Sequence, residues 1–208
     1  MSKIDELKVS LKKSTDVTVF AGDDTYLTIE KIATNLTPFD RITNGGIPRR
    51  RYTILTGNDS SGKSLLSALC AKAVQEQGGL VAYIDVEDSY DPTWWTTLGV
   101  VTKDLIYVRT NIAEKIFDAM RELCKEKIDL IILDSIASLV PGEEYDKSAE
   151  EKSIGVLARL VNVSLKKIIQ DNEKSAIILI NQFRSSIGGY AQANVLPGGR
   201  GQRFDASL

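Results

Sequence analysis

Short apolar runs alternate with segments of helical periodicity along most of the chain. Five runs rich in β-forming residues predict strands at 52–56, 80–85, 105–108, 130–134 and 176–181. Between them, apolar residues recur at spacings of three and four, for example from 65 to 74, from 116 to 124 and from about 154 to 169, which predicts helices. Because alternating strands and helices form mostly parallel sheets covered on both faces, the pattern predicts an α/β fold.

The first thirty residues have a different pattern. Ile4, Leu7 and Leu11 form one helical stripe, and two short β-like runs follow at 17–20 and 26–29. We expect residues 1–31 to form an N-terminal helical and β extension, and residues 32–208 to form the main domain. Without further information, the stripe is expected to pack back on its own domain.

The strongest chemical signal lies between the first strand of the main domain and the helix that follows it. Two glycines separated by four residues precede a lysine and a serine, in the segment Gly57, Asn58, Asp59, Ser60, Ser61, Gly62, Lys63 and Ser64. In this P-loop pattern, backbone N–H groups converge on phosphate oxygens, the lysine adds a positive charge, and the serine hydroxyl can bind Mg²⁺. Its position between a strand and a helix predicts a site for a nucleoside triphosphate.

The amino-acid composition excludes some kinds of catalytic and metal site. The 208 residues include no histidine and two cysteines, and the formal net charge is −2. His-based catalytic triads are excluded, and a zinc site is disfavoured because two thiols are a poor ligand set. Cys70 and Cys124 lie on apolar faces of predicted helices, so we expect buried thiols. The apolar runs are too short to span a bilayer, and the N-terminus does not resemble a signal peptide, so we expect a cytoplasmic protein without a membrane partner.

Polar residues end three of the predicted strands, at the edge where open α/β sheets bind ligands. Asp134 follows four apolar residues, as expected of a carboxylate that holds Mg²⁺ directly or through water. Glu87 is the candidate to orient the attacking water, although an ordinary loop acid would give the same pattern. Asn181 and Gln182 are amides that can sense a terminal phosphate without adding charge, although an amide can also simply cap a strand.

In this order and spacing, the segments resemble the core of the RecA family of DNA strand-exchange recombinases of bacterial or phage type. Five segments carry the resemblance from about Ile32 to Leu208: GNDSSGKS, AYIDVEDSYDPTWWTTLGV, LIILDSIASLVP, LINQFRSSIG and PGGRGQRFDAS. The resemblance implies a RecA-like P-loop NTPase core and a DNA-dependent ATPase that uses ATP and Mg²⁺. It also implies a helical filament of copies of the chain that binds single-stranded and double-stranded DNA and exchanges homologous strands in DNA repair. In the family the N-terminal helix packs on an adjacent copy, so the resemblance offers this as a second interpretation of the stripe of Ile4, Leu7 and Leu11.

The resemblance also implies roles for individual residues. Lys63, Glu87 and Gln182 would be catalytic, and Ser64 with Asp134 would hold the metal. Two residues, Asp91 and Trp94, would contact the adenine. The segments 142–155 and 183–199 would be the two DNA-binding loops. The candidate DNA contacts in the second are Arg184, Ile187, Gly188, Gly189 and Tyr190.

Several features depart from the family pattern. Ser186 replaces a lysine that bacterial members carry, and the first loop is acidic, so two alternatives stay open: a regulatory or mediator ATPase with little DNA affinity, and a helicase motor. Residues 203–208 look like the start of a strand, and family members continue beyond this point. We therefore expect a chain truncated at its C-terminal end, with weak hydrolysis because later strands of the family carry lysines that reach a neighbouring nucleotide.

Overall fold

A computed structural model of the chain describes residues 3–15, 17, 19–23, 25–145, 155–185, 194–199 and 201–207. The chain divides into two compact units, Met1–Glu30 and Lys31–Leu208. The first contains helix α1 (Lys3–Thr15), with acidic residues in its first turn and lysines in its last, as the helix dipole favours. The prediction of β-runs at 17–20 and 26–29 is wrong for the residues described there. A 3₁₀ turn occupies Thr25–Leu27, and a short β-run without a ladder partner has nothing to stabilise it.

The second unit begins with a small antiparallel pair that precedes the main sheet. Strand β1 (Lys31–Ile32) pairs with β2 (Ile47–Pro48), and helix α2 (Thr37–Ile42) lies between them in the chain. The side chain of Asp40 accepts hydrogen bonds from the backbone N–H and the hydroxyl of Thr34, at 3.0 and 2.7 Å. These bonds fix the connection between β1 and α2.

Five parallel strands form the central sheet, in the order β3-β7-β6-β4-β5. They are β3 (Arg51–Gly57), β4 (Val81–Asp85), β5 (Leu105–Arg109), β6 (Leu130–Asp134) and β7 (Ala176–Gln182). Each agrees with its predicted run to within one residue at either end. The central strands β4 and β6 are buried at every position, which is why their sequences are continuous apolar runs rather than alternating ones.

Helices cover both faces of this sheet, which confirms the predicted RecA-like α/β architecture. The helices of the second unit after α2 are α3 (Lys63–Glu76), α4 (Pro92–Thr97), α5 (Ala113–Lys125), α6 (Gly142–Tyr145), α7 (Val156–Asp171) and α8 (Gly201–Asp205). One core lies between α3 and the sheet face that carries Val81 and Ile132. A second core lies between the opposite face and helices α5 and α7.

Both cysteines are buried as free thiols, as the sequence predicts. Burial raises the pKa of Cys70 to about 12 and that of Cys124 to about 11, so both thiols stay protonated at neutral pH. In the described part of the chain, no helix is long and apolar enough to cross a membrane.

The expected strand at 203–208 is wrong, because residues up to Asp205 belong to helix α8. The buried side chain of Gln202 donates hydrogen bonds to the backbone oxygens of Pro197 and Gly199, at 2.6 and 2.9 Å. Tyr52 of β3 donates its hydroxyl hydrogen to the backbone oxygen of Gln202 at 2.9 Å. The Gln202 side chain thus holds α8 against the segment before it, and Tyr52 attaches α8 to β3. The contact between Tyr52 and Gln202 joins residues distant in the chain, so the local sequence does not reveal it.

Candidate nucleotide-binding site

The register of the parallel strands gathers the predicted polar residues at one edge of the sheet. Asp85 of β4 lies opposite Asp134 of β6, and Gly57 of β3 lies opposite Gln182 of β7. Since all five strands are parallel, all four residues lie at the carboxyl edge of the sheet. The polar strand ends that the sequence indicated separately therefore lie together at one edge of the sheet.

The P-loop turns tightly between β3 and α3. A Cβ atom on Gly57 would lie 2.5 Å from the hydroxyl oxygen of Ser61, so a larger residue there would require the Ser61 side chain to move. Gly62 has φ of +87° immediately before the helix begins at Lys63, a conformation that favours glycine. The Lys63 ammonium donates to the backbone oxygens of Asn58 and Gly57, at 2.7 and 3.3 Å. The loop therefore presents a helix N-terminus and a lysine together, which suits phosphate groups.

The two predicted metal-binding residues are in direct contact. The hydroxyl of Ser64, at the start of α3, donates to Oδ2 of Asp134 at 2.7 Å, and the hydroxyl of Tyr83 donates to the same oxygen at 3.1 Å. Burial raises the pKa of Asp134, the two hydroxyl bonds lower it, and the nearby charges of Glu87 and Asp85 raise it, so the net shift is upward.

These residues fit a magnesium ion. Hydroxyl and carboxylate oxygens are the ligands that Mg²⁺ prefers, and the ion commonly uses only one or two carboxylates besides phosphate and water. Among the side chains that the structure describes, no lysine or arginine forms an ion pair with Asp134. A bound cation would therefore offset the charge of a carboxylate that is buried beside other acids.

Glu87 and Gln182, predicted from two different strand ends, also meet. Oε1 of Glu87 accepts a hydrogen bond from the Ser135 hydroxyl, from the Ser138 hydroxyl at 3.1 Å and from Nε2 of Gln182 at 3.4 Å. Ser135 directly follows β6 and Ser138 ends the 3₁₀ turn after it, so the segment that leaves the Asp134 strand also holds Glu87. Sequence reasoning missed both serines, because a serine near an acidic strand end carries no distinctive signal by itself.

Asp85 folds the loop that carries Glu87. Its buried carboxylate accepts hydrogen bonds from the backbone N–H groups of Glu87, Ser89 and Tyr90, at 3.1, 3.3 and 3.0 Å. The hydroxyl of Tyr107 on β5 donates to the same carboxylate at 3.1 Å. Sequence reasoning passed over Asp85 in favour of Glu87. The available signal was an acid that ends a strand just before a polar turn, where aspartate often binds backbone N–H groups.

Four aromatic rings pack beneath these carboxylates. The Tyr83 ring lies 4.5 Å from the Trp95 ring, 5.7 Å from the Tyr90 ring and 6.4 Å from the Tyr107 ring, measured between centroids. Tyr83 and Tyr107 are partners in the register of β4 and β5. We call Tyr83, Tyr90, Trp95 and Tyr107 the aromatic cluster. The sequence did not indicate it, because its members come from two strands, a loop and helix α4, and meet only in the folded chain.

The two predicted adenine contacts stand at the start of helix α4. Asp91 is the N-cap residue, and its Oδ1 accepts hydrogen bonds from the backbone N–H groups of Thr93 and Trp94, at 2.8 and 3.3 Å. This cap gives Asp91 a structural function that the sequence reasoning did not assign. The side chain of Trp94 is 51% exposed, whereas that of Trp95 is 4% exposed and packs in the aromatic cluster. Contact of Asp91 and Trp94 with adenine stays a prediction.

The second predicted DNA-binding loop is only partly described. Ile187, Gly188, Gly189 and Tyr190 lie outside the described residues, as does much of the first loop. Arg184 lies in a two-residue strand, β8 (Arg184–Ser185), that pairs antiparallel with β9 (Asn194–Val195), but its side chain is not among those described. The DNA contacts assigned to these residues stay predictions.

One of the two amides at the end of β7 proves to be structural. Asn181 is fully buried, and its Nδ2 donates to the Pro197 oxygen at 3.0 Å and to Oε1 of Gln202 at 3.1 Å. Its own Oδ1 accepts the backbone N–H of Gln182 at 2.9 Å. Asn181 thus ties the segment before α8 to the strand end. Gln182, in contrast, reaches Glu87 with its side chain.

Comparison with known proteins agrees with this geometry. A family model described as the RecA N-terminal domain matches residues 4–208. The protein named Protein RecA from Mesomycoplasma hyopneumoniae is 39% identical over 168 residues, which are 79% of this chain and 50% of that protein. Proteins of the same name from a Nostoc and a Synechocystis species are each 32% identical over 191 residues, which are 90% of this chain and 54% of theirs.

The chain spans about half the length of the curated relatives that it matches. The match to the family model nevertheless covers almost every residue, including all the strand ends that form the site. The P-loop, the Ser64–Asp134 pair and the Glu87–Gln182 pair lie within the matched region. The chain therefore belongs to the RecA family.

Proposed function

We propose that this chain is the ATP-binding core of a DNA recombinase, which binds ATP with Mg²⁺ and hydrolyses it in response to DNA. The observation that carries the proposal is the meeting of Glu87 and Gln182 at the same sheet edge as the P-loop and the Ser64–Asp134 pair. Family membership supports it, since the relatives are named Protein RecA. Those names do not favour the regulatory ATPase or the helicase motor.

Binding would depend on the P-loop and the residues beside it. The loop segment from Gly57 to Ser64 would surround the phosphates with backbone N–H groups, and Lys63 would exchange its contacts with loop carbonyls for phosphate oxygens. Ser64 and Asp134 would hold the metal, which supplies charge neutralisation at the phosphates. Asp91 and Trp94 at the start of α4 would receive the adenine.

Hydrolysis would depend on Glu87. Phosphoryl transfer needs a positioned water more than a strong base, and Glu87 has one carboxylate oxygen, Oε1, held by two serine hydroxyls. Among the described side chains, Oε2 has no hydrogen-bond donor, so it is the oxygen that can accept a water hydrogen. Gln182 contacts this carboxylate and starts the segment that leads into the second predicted DNA-binding loop. It would therefore connect the state of the nucleotide to that loop.

We further propose that the chain acts as copies assembled in a helical filament on single-stranded DNA, which then pairs with double-stranded DNA during homologous strand exchange and repair. Arg184, Ile187, Gly188, Gly189 and Tyr190 would contact the DNA, and the N-terminal helix α1 would take part in assembly. The expected compartment is the cytoplasm.

The test is steady-state ATP hydrolysis with and without single-stranded DNA, together with ATP binding, for the wild type and Glu87→Gln. We expect DNA to stimulate hydrolysis. We expect Glu87→Gln to lower it by roughly 10²- to 10³-fold, within the range for a lost acid–base group. Nucleotide affinity should change little, because Glu87 is not expected to hold the ground-state phosphates.

Glu122→Gln is the matched control, because Glu122 is exposed on α5 and pairs with Lys125 on the same helix. This variant should hydrolyse ATP at the wild-type rate. Hydrolysis by Glu87→Gln at the wild-type rate would refute the assignment of Glu87. Nucleotide binding that never responds to DNA would instead support the regulatory ATPase.

A further inference from the structure

The Tyr83 side chain is buried at the centre of the sheet, yet its hydroxyl reaches the functional edge. The residue is 1% exposed, and it lies in β4 two positions before Asp85. Its hydroxyl donates to Oδ2 of Asp134, 51 residues away in the chain, at 3.1 Å. Ser64 donates to the same oxygen at 2.7 Å. Two hydroxyls therefore converge on one oxygen of the carboxylate that would hold the metal.

The aromatic cluster restricts where the Tyr83 hydroxyl can lie. The rings of Trp95, Tyr90 and Tyr107 lie around the Tyr83 ring at centroid distances of 4.5, 5.7 and 6.4 Å. The backbone of Tyr83 is paired on both sides, with β5 and with β6. A ring confined by paired strands and by three other rings keeps its hydroxyl in one place, because rotation would require the neighbouring rings to move.

The orientation of the Asp134 carboxylate depends on these two hydroxyl donors. Glu87 and Asp85 are acidic neighbours whose charges disfavour its ionised form. Repulsion between like charges would turn a free carboxylate away from the edge, whereas two hydroxyl donors on Oδ2 favour one orientation. A ligand that is already oriented does not have to be ordered when the cation binds, so it binds the cation more tightly.

We propose that Tyr83 is a positioning residue of the metal site, whose hydroxyl orients the Asp134 carboxylate for the cation that accompanies the nucleotide. The inference rests on the proposed nucleotide and Mg²⁺ binding at this edge. It assigns to Tyr83 an effect on the metal, since its hydroxyl donates its hydrogen to Asp134. The same hydroxyl oxygen also interacts with the Ser89 side chain, which belongs to the loop after β4 and not to the P-loop. Loss of the hydroxyl should therefore weaken nucleotide binding only when Mg²⁺ is present.

The experiment compares wild-type chain, Tyr83→Phe and Tyr90→Phe. Binding of a fluorescent ATP analogue is measured during a titration with MgCl₂ and, separately, in EDTA. Tyr90→Phe is the matched control because it removes a hydroxyl from the same aromatic cluster. That hydroxyl has no hydrogen bond to the part of the chain that the structure describes. Melting temperatures of all three proteins show whether packing is preserved.

In the MgCl₂ titration, the midpoint is the Mg²⁺ concentration that gives half of the full increase in nucleotide binding. We expect Tyr83→Phe to raise this midpoint by roughly tenfold, at the lower end of the range for groups that orient metal ligands. Affinity in EDTA should equal that of the wild type, and Tyr90→Phe should match the wild type throughout. In an Asp134→Asn background, Tyr83→Phe should have no further effect, because the carboxylate that it orients is gone.

Four results would overturn the inference. An unchanged Mg²⁺ midpoint in Tyr83→Phe would show that the hydroxyl is dispensable. An equal shift in Tyr90→Phe, or an equal loss of affinity with and without Mg²⁺, would show a general effect of the aromatic cluster on packing. If the wild-type chain itself bound the nucleotide without any response to Mg²⁺, the proposed metal site would fail, and the inference with it.

Discussion

The two ends of strand β6 carry buried aspartates in opposite surroundings. At the amino end, Asp129 accepts hydrogen bonds from Arg49 at 2.9 Å, from Lys174 at 3.0 Å and from the backbone N–H of Leu80 at 3.1 Å. At the carboxyl end, the carboxylate of Asp134 accepts hydrogen bonds only from the hydroxyls of Ser64 and Tyr83 among the described residues. Asp129 immediately precedes the five-residue strand, and Asp134 is its last residue.

The pKa values of the two aspartates shift in opposite directions. Burial alone would raise the pKa of Asp129, but its bonds to Lys174, Leu80 and Arg49 outweigh burial and lower it. For Asp134, burial is again the largest cause, and the nearby acids act with it, so the pKa is raised despite two hydroxyl bonds. The charge of Asp129 is thus offset by Arg49 and Lys174, whereas Asp134 has no lysine or arginine partner among the described side chains. The difference separates a carboxylate that holds the fold together from one that is suited to hold a cation.

The largest expected effect is that of Asp134→Asn. Mg²⁺-dependent ATP hydrolysis should fall at least about a hundredfold, as when one group that stabilises a transition state is lost. The melting temperature should be unchanged or higher, because the substitution removes a buried charge from beside Asp85 and Glu87. Hydrolysis assays and thermal unfolding of the same preparations check both parts.

Asp118→Asn is the control for this variant, because it removes an exposed carboxylate on α5 away from the sheet edge. It should leave hydrolysis unchanged. A clear drop in the melting temperature of Asp134→Asn would erase the contrast with Asp129, because it would show that Asp134 also stabilises the fold.

The next effect concerns Asp129→Asn, which should lower the free energy of unfolding by about 1–3 kcal/mol at neutral pH. Two cations would lose a partner that is 8% exposed. A folded-state pKa below the usual value gives stability that is present above the unfolded pKa, near 3.9, and is lost as the pH falls through the folded pKa. Denaturant unfolding at pH 7 and at pH 3 should therefore show a smaller difference between wild type and variant at the lower pH.

Nucleotide binding by correctly folded Asp129→Asn should match that of the wild type, since Asp129 lies at the opposite edge of the sheet. A difference from the wild type that stays constant down to pH 3 would show that packing, and not the charge of Asp129, stabilises this end.

The smallest effect is expected for Glu173→Gln, which breaks the exposed ion pair with Lys127 near the same amino edge. The pair is 3.1 Å long, but its side chains are 60% and 66% exposed, so water and salt screen it. The free energy of unfolding should fall by less than about 1 kcal/mol, and the difference should vanish in 0.5 M salt. An effect as large as that of Asp129→Asn would mean that burial does not decide how much an ion pair contributes to the free energy of unfolding of this protein.

Much of the fold could be predicted because its signals are local. Each of the five sheet strands is a compact run of β-forming residues, and the P-loop is a contiguous pattern whose second glycine, Gly62, has a backbone conformation that favours glycine. Asp134 could be found for the same reason, as an acid that directly follows four apolar residues. The predictions failed where an apparent β-run depended on partners elsewhere, as at 26–29 and 203–208.

The hydrogen bonds that hold the site residues in place could not be predicted, because they join residues that are far apart in the chain. Tyr83 meets Asp134 across 51 residues, and Tyr107 meets Asp85 across 22. Both contacts exist only once β5, β4 and β6 pair in register. Asn181 and Gln182 are adjacent amides that the sequence does not distinguish. In the structure, Asn181 is buried and donates to the segment before α8, whereas Gln182 donates to Glu87.

The sequence by itself determined the elements and the chemical groups: a parallel sheet, a phosphate loop, and acids at the strand ends. Only the tertiary structure decided which acid receives cations and which receives hydroxyls. The physical reason is that strand periodicity and glycine requirements act over a few residues. The charge state of a buried carboxylate, in contrast, depends on every group within a few ångströms, whatever its position in the chain.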